Sequence, residues 1–163
     1  MSSLERDFTK LVSQLDYSLF IVTVNHQGDL GGCLIGFATQ VSIHPPRFLA
    51  GLSVKNRTYR LARDANVLVV HPVPQDAENL AELFGGKSGD DVDKFSQCEW
   101  EPGPDGAPVL TGLQSWFAGR VLERIGFGDH VGFLLEPIEV GQSGSRETLT
   151  FRRGRWIKPG HEP

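Results

Sequence analysis

The segments rich in β-branched and aromatic residues follow one another with very little chain between them. "SLFIVTVN" (18–25) is separated from "LGGCLIGFATQV" (30–41) only by "HQGD", and "HVGFLLEPIEVG" (130–141) follows "VLTGLQSWFAGRVLERIG" (109–126) after "FGD". A parallel pair needs a crossover of a dozen or more residues, so these neighbours must run antiparallel. "RFLAGLSV" (47–54) reads as a further strand, and the continuous apolar run "NVLVVHPV" (66–73) as a buried one. "TLTFRRGRWI" (148–157) reads as a last hairpin turning at Arg153-Gly154. With 19 glycines and 10 prolines available for turns, the chain is expected to be mainly β. An antiparallel barrel with a few peripheral helices suits this pattern better than a doubly wound sheet, and closure disposes of exposed strand edges.

Three helices punctuate the strands. Leu4, Phe8, Leu11, Val12 and Leu15 share one helical face, and Ser2 three residues before Glu5 suits a capping box. Residues 56–65 and 74–86 have helical character, the second with Gln75 or Asp76 near its start and a glycine pair as its stop. Residues 87–108 read as a long polar loop covering something. Neither a repeat nor a linker is visible, so the 163 residues are expected to form one domain, core about 10–155, with a flexible tail at 156–163.

Several functions fall away. A net charge of -4 gives no broad basic face for nucleic acid. No apolar run approaches a membrane span, and "MSSLERDFTK" lacks a signal-peptide core. Cys33 and Cys98 make neither a disulfide framework nor a zinc spacing, so a reducing, cytoplasmic setting is the default and no metal is expected. "GGKSGDD" (85–91) is no phosphate loop, because position 81 is alanine and a helix, not a strand, precedes it. No nucleophile elbow and no paired helical histidines are present.

Three stretches remain. "GFATQVSIHPP" (36–46) ends a strand in small polar residues and two prolines. It is either the polar end of an edge strand or a surface of small side chains and backbone amides against which a planar heterocycle can lie. "SVKNRTYRLAR" (53–63) puts four cations into nine residues of an acidic protein at the start of a helix, where an anion such as phosphate is favoured. The alternative is a solvated basic helix paired with carboxylates. In "GFGDHVGF" (126–133), His130 follows a tight turn and either bonds its neighbours or faces a ligand at a barrel mouth.

In this order the stretches resemble the flavin reductase family, over roughly residues 10–140. The markers are Thr39-x-x-Ser42-x-x-Pro45-Pro46, Ser53-x-Lys55-Asn56-x-Thr58, Leu80-x-x-x-Phe84, Lys94-Phe95, Gly106-x-Pro108-x-Leu110 and Gly128-Asp129-His130. The resemblance implies an antiparallel split β-barrel that binds FMN, with FAD as the alternative, and takes hydride from NADH or NADPH. It assigns Phe37, Ala38, Thr39, Gln40, Val41 and Ser42 to the isoalloxazine and ribityl chain. Ser53, Lys55, Asn56, Arg57 and Thr58 take the phosphate, Phe84 and Lys94 the flavin or the nicotinamide entrance, and His130 the nicotinamide. It further implies a homodimer and a flavin-dependent monooxygenase fed by diffusing reduced flavin. Ala38, Gln40, Arg47 and Trp116 depart from the family pattern. The competing classes are a non-catalytic flavin-binding dimer and a split-barrel oxidoreductase using another donor, such as a deazaflavin.

Overall fold

The computed structural model describes residues 1–144 and 146–161. The elements run α1 (Ser3–Val12), β1 (Phe20–His26), β2 (Asp29–Ile35), β3 (Ala38–Ser42), β4 (Arg47–Ser53), α2 (Arg57–Ala62), β5 (Val67–Pro72) and α3 (Glu78–Gly85). They continue through β6 (Trp100–Pro102), β7 (Pro108–Leu110), β8 (Ser115–Gly126), β9 (His130–Gln142) and α4 (Phe151–Gly154). Seven strands form one sheet in the order β2-β1-β5-β8-β9-β4-β3, antiparallel throughout, as the short connections require.

The expected single strand over 30–41 is two strands, β2 and β3, at opposite ends of that order. Only Gly36 and Phe37 lie between them. The three steps from Ile35 to Ala38 cover at most about 11 Å, so the sheet must curl until its first and last strands lie side by side. No ladder joins β2 to β3, which leaves a seam: a split barrel. The seam is tied by the Phe37 carbonyl, which accepts the Gly51 amide of β4 at 2.7 Å.

Inside the barrel pack Val22, Val24, Cys33, Ile35, Ala50, Leu52, Leu68, Val70, Phe133 and Leu135, closed at one end by Ala62 and Ala65. A second cluster, with Ile21, Val73, Phe84, Leu110 and Leu149, lies outside it under α3. A third joins Val67 and Val69 to Val109 and Ala118. β5 is therefore covered on both faces, the physical reason its sequence does not alternate.

Other differences have local causes. The helix expected from residue 74 starts at Glu78 with Ala77 as an uncapped N-terminus. Asp76 instead takes Arg146, and Gln75 donates to Glu147. The polar loop 87–108 is partly ordered into β6 and β7, paired antiparallel, with 3-10 turns at Lys94–Ser96 and Pro104–Gly106. The expected strand over 109–126 breaks at Thr111–Leu113, another 3-10 turn, before β8 begins. The terminal hairpin is one helical turn, α4, preceded by bridges from Thr148 to Pro74 and from Thr150 to Ser18. Of the tail, Ile157 packs on the second cluster; residues 162 and 163 lie outside the described residues. α1 has the expected capping box yet buries none of its residues. No helix among the described residues is long and apolar enough to cross a membrane.

His71 on β5 is fully buried between strands: Nδ1 faces the Ile21 carbonyl at 3.0 Å, and Nε2 accepts the Leu110 amide at 3.0 Å. An imidazole accepting a backbone N–H must be neutral, and burial pushes its pKa down to about 4. The unfolded chain then binds the extra proton between about pH 6.5 and 4, so this contribution is complete above 6.5 and is lost as pH falls. We expect urea unfolding of wild type and His71→Leu to differ by on the order of 3 kcal/mol more at pH 7 than at pH 4. Parallel stability–pH curves would refute a neutral, buried His71.

Candidate active site

Alternation along β4 and β9 separates two faces. Ala50, Leu52, Phe133 and Leu135 point into the barrel. The residues between them, Leu49, Gly51, Ser53, His130, Gly132 and Leu134, therefore point outward. Their register sets them in rows: Ser53 faces His130, Gly51 faces Gly132, and Leu49 faces Leu134. β3 extends the rows, with Thr39 beside Leu49 and Phe37 beside Gly51. On this outer face lies a cleft of about 440 Å³, lined by Phe37, Ala38, Thr39, Leu49, Gly51, Phe127, Asp129 and His130. That volume is within the range of small-molecule sites.

Two glycines make the floor. A Cβ on Gly51 would meet the Phe37 carbonyl oxygen at 3.0 Å, and one on Gly132 would meet the Phe127 ring at 2.5 Å. They face each other in register and send no side chain outward, so Phe37 packs close over Gly51 and the Phe127 ring over Gly132, and the cleft lies between these two aromatic walls. Phe37 stands on one side, 60% exposed, with its ring centroid 4.9 Å from that of His130. Phe127 lies on the other, 62% exposed. Nδ1 of His130 bonds Asp129 Oδ1 at 2.8 Å, which leaves Nε2 as the nitrogen open to a ligand. That bond and the charge of His130 hold the Asp129 carboxyl below its usual range, with a smaller pull from Lys55. Lys55 thus stands close to the same end of the cleft.

The sequence candidates divide three ways. Phe37, Ala38, Thr39 and His130 line the cleft, and Ser53 and Lys55 follow at the end of β4. Gln40, Val41 and Ser42 run away from it along the edge of the sheet, where the Gln40 amide donates to the Ser42 carbonyl. The remainder are occupied in holding the fold. The Asn56 side chain caps α2 by accepting from Thr58 N at 2.9 Å. Arg57 donates to the Leu30 carbonyl at 2.6 Å and pairs with Asp90, while Thr58 is buried. Phe84 is 1% exposed within the second cluster. Lys94 is 4% exposed, its ammonium donating to the carbonyls of Gly32 (2.9 Å) and Phe84 (3.1 Å). Sequence reasoning missed Leu49, Gly51 and Phe127. The period-2 pattern of "RFLAGLSV" could have placed the first two on an outer face, but nothing local distinguishes Phe127 from an incidental turn aromatic.

Residues 12–157 match the family described as "Flavin reductase like domain". A protein of Rhizobium meliloti (strain 1021) named "Probable flavin reductase" is 26% identical over 85% of this chain, which spans only 44% of that protein's length. "FMN reductase (NADH) RutF" of Ancylobacter novellus is 25% identical over 89% of the chain and 80% of its own. Among solved structures, the NADH:FAD oxidoreductase SgcE6 of Streptomyces globisporus C-1027 superposes with a TM-score of 0.83 at 23% identity, covering 93% of this chain and 90% of that one. A nitrilotriacetate monooxygenase component B homologue from Mycobacterium thermoresistibile gives 0.81 at 22% identity, covering 92% and 83%. These two likenesses show the fold.

The placement of Lys94 makes a structural prediction. Lys94→Met strips the donor from two buried carbonyls and should lower the unfolding free energy by on the order of 2 kcal/mol, measured in urea. Wild-type stability with loss of ligand binding would instead make Lys94 a ligand contact.

Proposed function

The chain belongs to the flavin reductase like domain family, and on that premise we propose that it transfers hydride from NADH or NADPH to FMN, with FAD as the alternative acceptor. The observation that carries this reading is the cleft over Gly51 on the outer face of the barrel, walled by the exposed rings of Phe37 and Phe127 and by His130. A planar ring system fits between such aromatic walls. The relative named for FMN and NADH supports FMN and NADH as the first pair to test.

Flavin held there supplies the hydride-accepting ring, so the protein needs no proton-transfer dyad of its own. What remains for the chain is orientation, exclusion of water and charge balance. The backbone from Phe37 into β3 at Thr39 gives the ring its edge contacts. Ser53 and Lys55 take the phosphate, the first by its hydroxyl and the second by its charge. Asn56 and Arg57 act one step back by fixing the turn: Asn56 caps α2, and Arg57 ties α2 to β2 through the Leu30 carbonyl. His130, steadied by Asp129, orients the nicotinamide through Nε2.

Two partners follow. α1 leaves Leu4, Phe8 and Leu11 in water, and Leu15 just after it, an apolar stripe that a second copy of the chain would cover, making a homodimer. Reduced flavin released from an open cleft would serve a monooxygenase, a role supported by the likeness to a monooxygenase component. Cys33 and Cys98 are both free thiols, which suits the cytoplasm.

Purified protein should oxidise NADH or NADPH steadily when FMN is added and only slowly without it. Flavin uptake with no nucleotide oxidation would leave a flavin-binding module and end the reductase reading. Ser53→Ala combined with Lys55→Ala should weaken FMN by about 10-fold or more, a charged hydrogen bond's worth, and riboflavin much less. Equal weakening of both would remove the phosphate from this end of the cleft.

A further inference from the structure

Phe127 is the largest cleft residue that the reading above leaves without a role. It belongs to none of the three clusters: its ring is 62% exposed, although a buried phenyl gains roughly 1.5–3 kcal/mol over an exposed one. Its place is nevertheless well defined. The Phe127 amide donates to the His130 carbonyl at 2.9 Å, closing the turn between β8 and β9 and setting the two side chains opposite each other across the hairpin. The ring then lies across Gly132, where a Cβ would come within 2.5 Å of it, and Leu49 lies against the same spot. An aromatic ring laid over a glycine on the outer face of a sheet, beside a histidine, is a platform waiting for a second flat group.

The sheet order says which group. β3 and β8 flank the β4–β9 pair on opposite sides. With the flavin along β3, the open half of the cleft is the one between His130 and Phe127. We propose that Phe127 is the residue on which the nicotinamide ring of the hydride donor rests, and that Gly132 positions it by leaving room for the ring to lie flat. The inference depends on the reductase reading and deepens it, since it assigns a donor contact on the side of the cleft away from β3. Offset or tilted aromatic contact is the geometry such a pair prefers, and Asp129 at the turn stands near enough to favour the positive charge the nicotinamide gains on giving up hydride.

The test uses the full chain loaded with FMN and compares wild type with Phe127→Ala, Phe127→Tyr and Gly132→Ala. The readouts are NADH KM and kcat, FMN Kd by fluorescence quenching, and NAD+ binding to the FMN-loaded protein by calorimetry. Phe127→Ala should raise NADH KM and NAD+ Kd about 10-fold, the scale of one aromatic contact, while FMN Kd stays within about twofold. Phe127→Tyr should restore wild-type values, and Gly132→Ala should shift KM in the same direction as Phe127→Ala. An active wild type with unchanged KM in Phe127→Ala overturns this inference alone. So does an FMN Kd that rises as much as the NADH KM, which would make Phe127 a flavin contact. A wild type that takes up FMN but neither oxidises NADH or NADPH nor binds NAD+ overturns the reductase reading and the inference together.

Discussion

The hydrogen bond from the Gly51 amide to the Phe37 carbonyl fixes the architecture. It holds the two-residue link at which the chain leaves one end of a seven-stranded sheet and arrives at the other. A flat sheet of that width would put the two ends far more than two residues apart. The link therefore imposes curvature, and curvature creates an inside. The inside is filled by Val22, Val24, Leu52, Leu68, Val70, Phe133 and Leu135, so the same short link that bends the sheet also defines the core.

The link sets the cleft as well. Phe37 is not part of either strand, and its ring stands out at the mouth beside His130. Side-chain alternation then does the rest: on β4 and β9 every residue between two core positions faces outward. Core positions are large and apolar, whereas the outward ones beside Phe37 are small, Gly51 and Gly132. Large residues on one face and glycines that admit Phe37 and Phe127 on the other are two consequences of one register. The price is a pair of exposed phenyl rings, Phe37 and Phe127, that the fold alone does not use.

The cations show how a suggestive composition is divided by tertiary contact. Arg57 and Arg60 both meet Asp90, tying the loop after α3 to α2. Arg124 reaches from β8 to the Ala62 and Ala65 carbonyls at the far end of α2 and lies over the Phe133 ring, fastening the helix to the barrel. Lys94 fastens β2 to α3. Lys55 stands apart from these ties, next to Asp129 and the cleft. Arg57 and Arg60 of this basic segment in an acidic protein are thus scaffold.

Sequence alone determined what depends on neighbours along the chain. Short connections dictated antiparallel pairing; the apolar run at 66–73 announced a buried strand; Ser2 with Glu5 supplied a helix cap. The motif residues Phe37, Thr39, Ser53 and His130 are ones that the fold gathers at one end of the sheet. Tertiary structure decided what depends on distant partners. It decided that residues 30–41 are two strands, because a break at Gly36–Phe37 is favourable only when β4 waits to receive the Phe37 carbonyl. It decided that Asp76 and Gln75 leave the start of α3, because Arg146 and Glu147 arrive from the C-terminal segment. It put Phe127 in the cleft, because only Gly132 on the adjoining strand gives its ring a place to lie. A local pattern encodes which way a side chain points; only the folded sheet supplies what it points at.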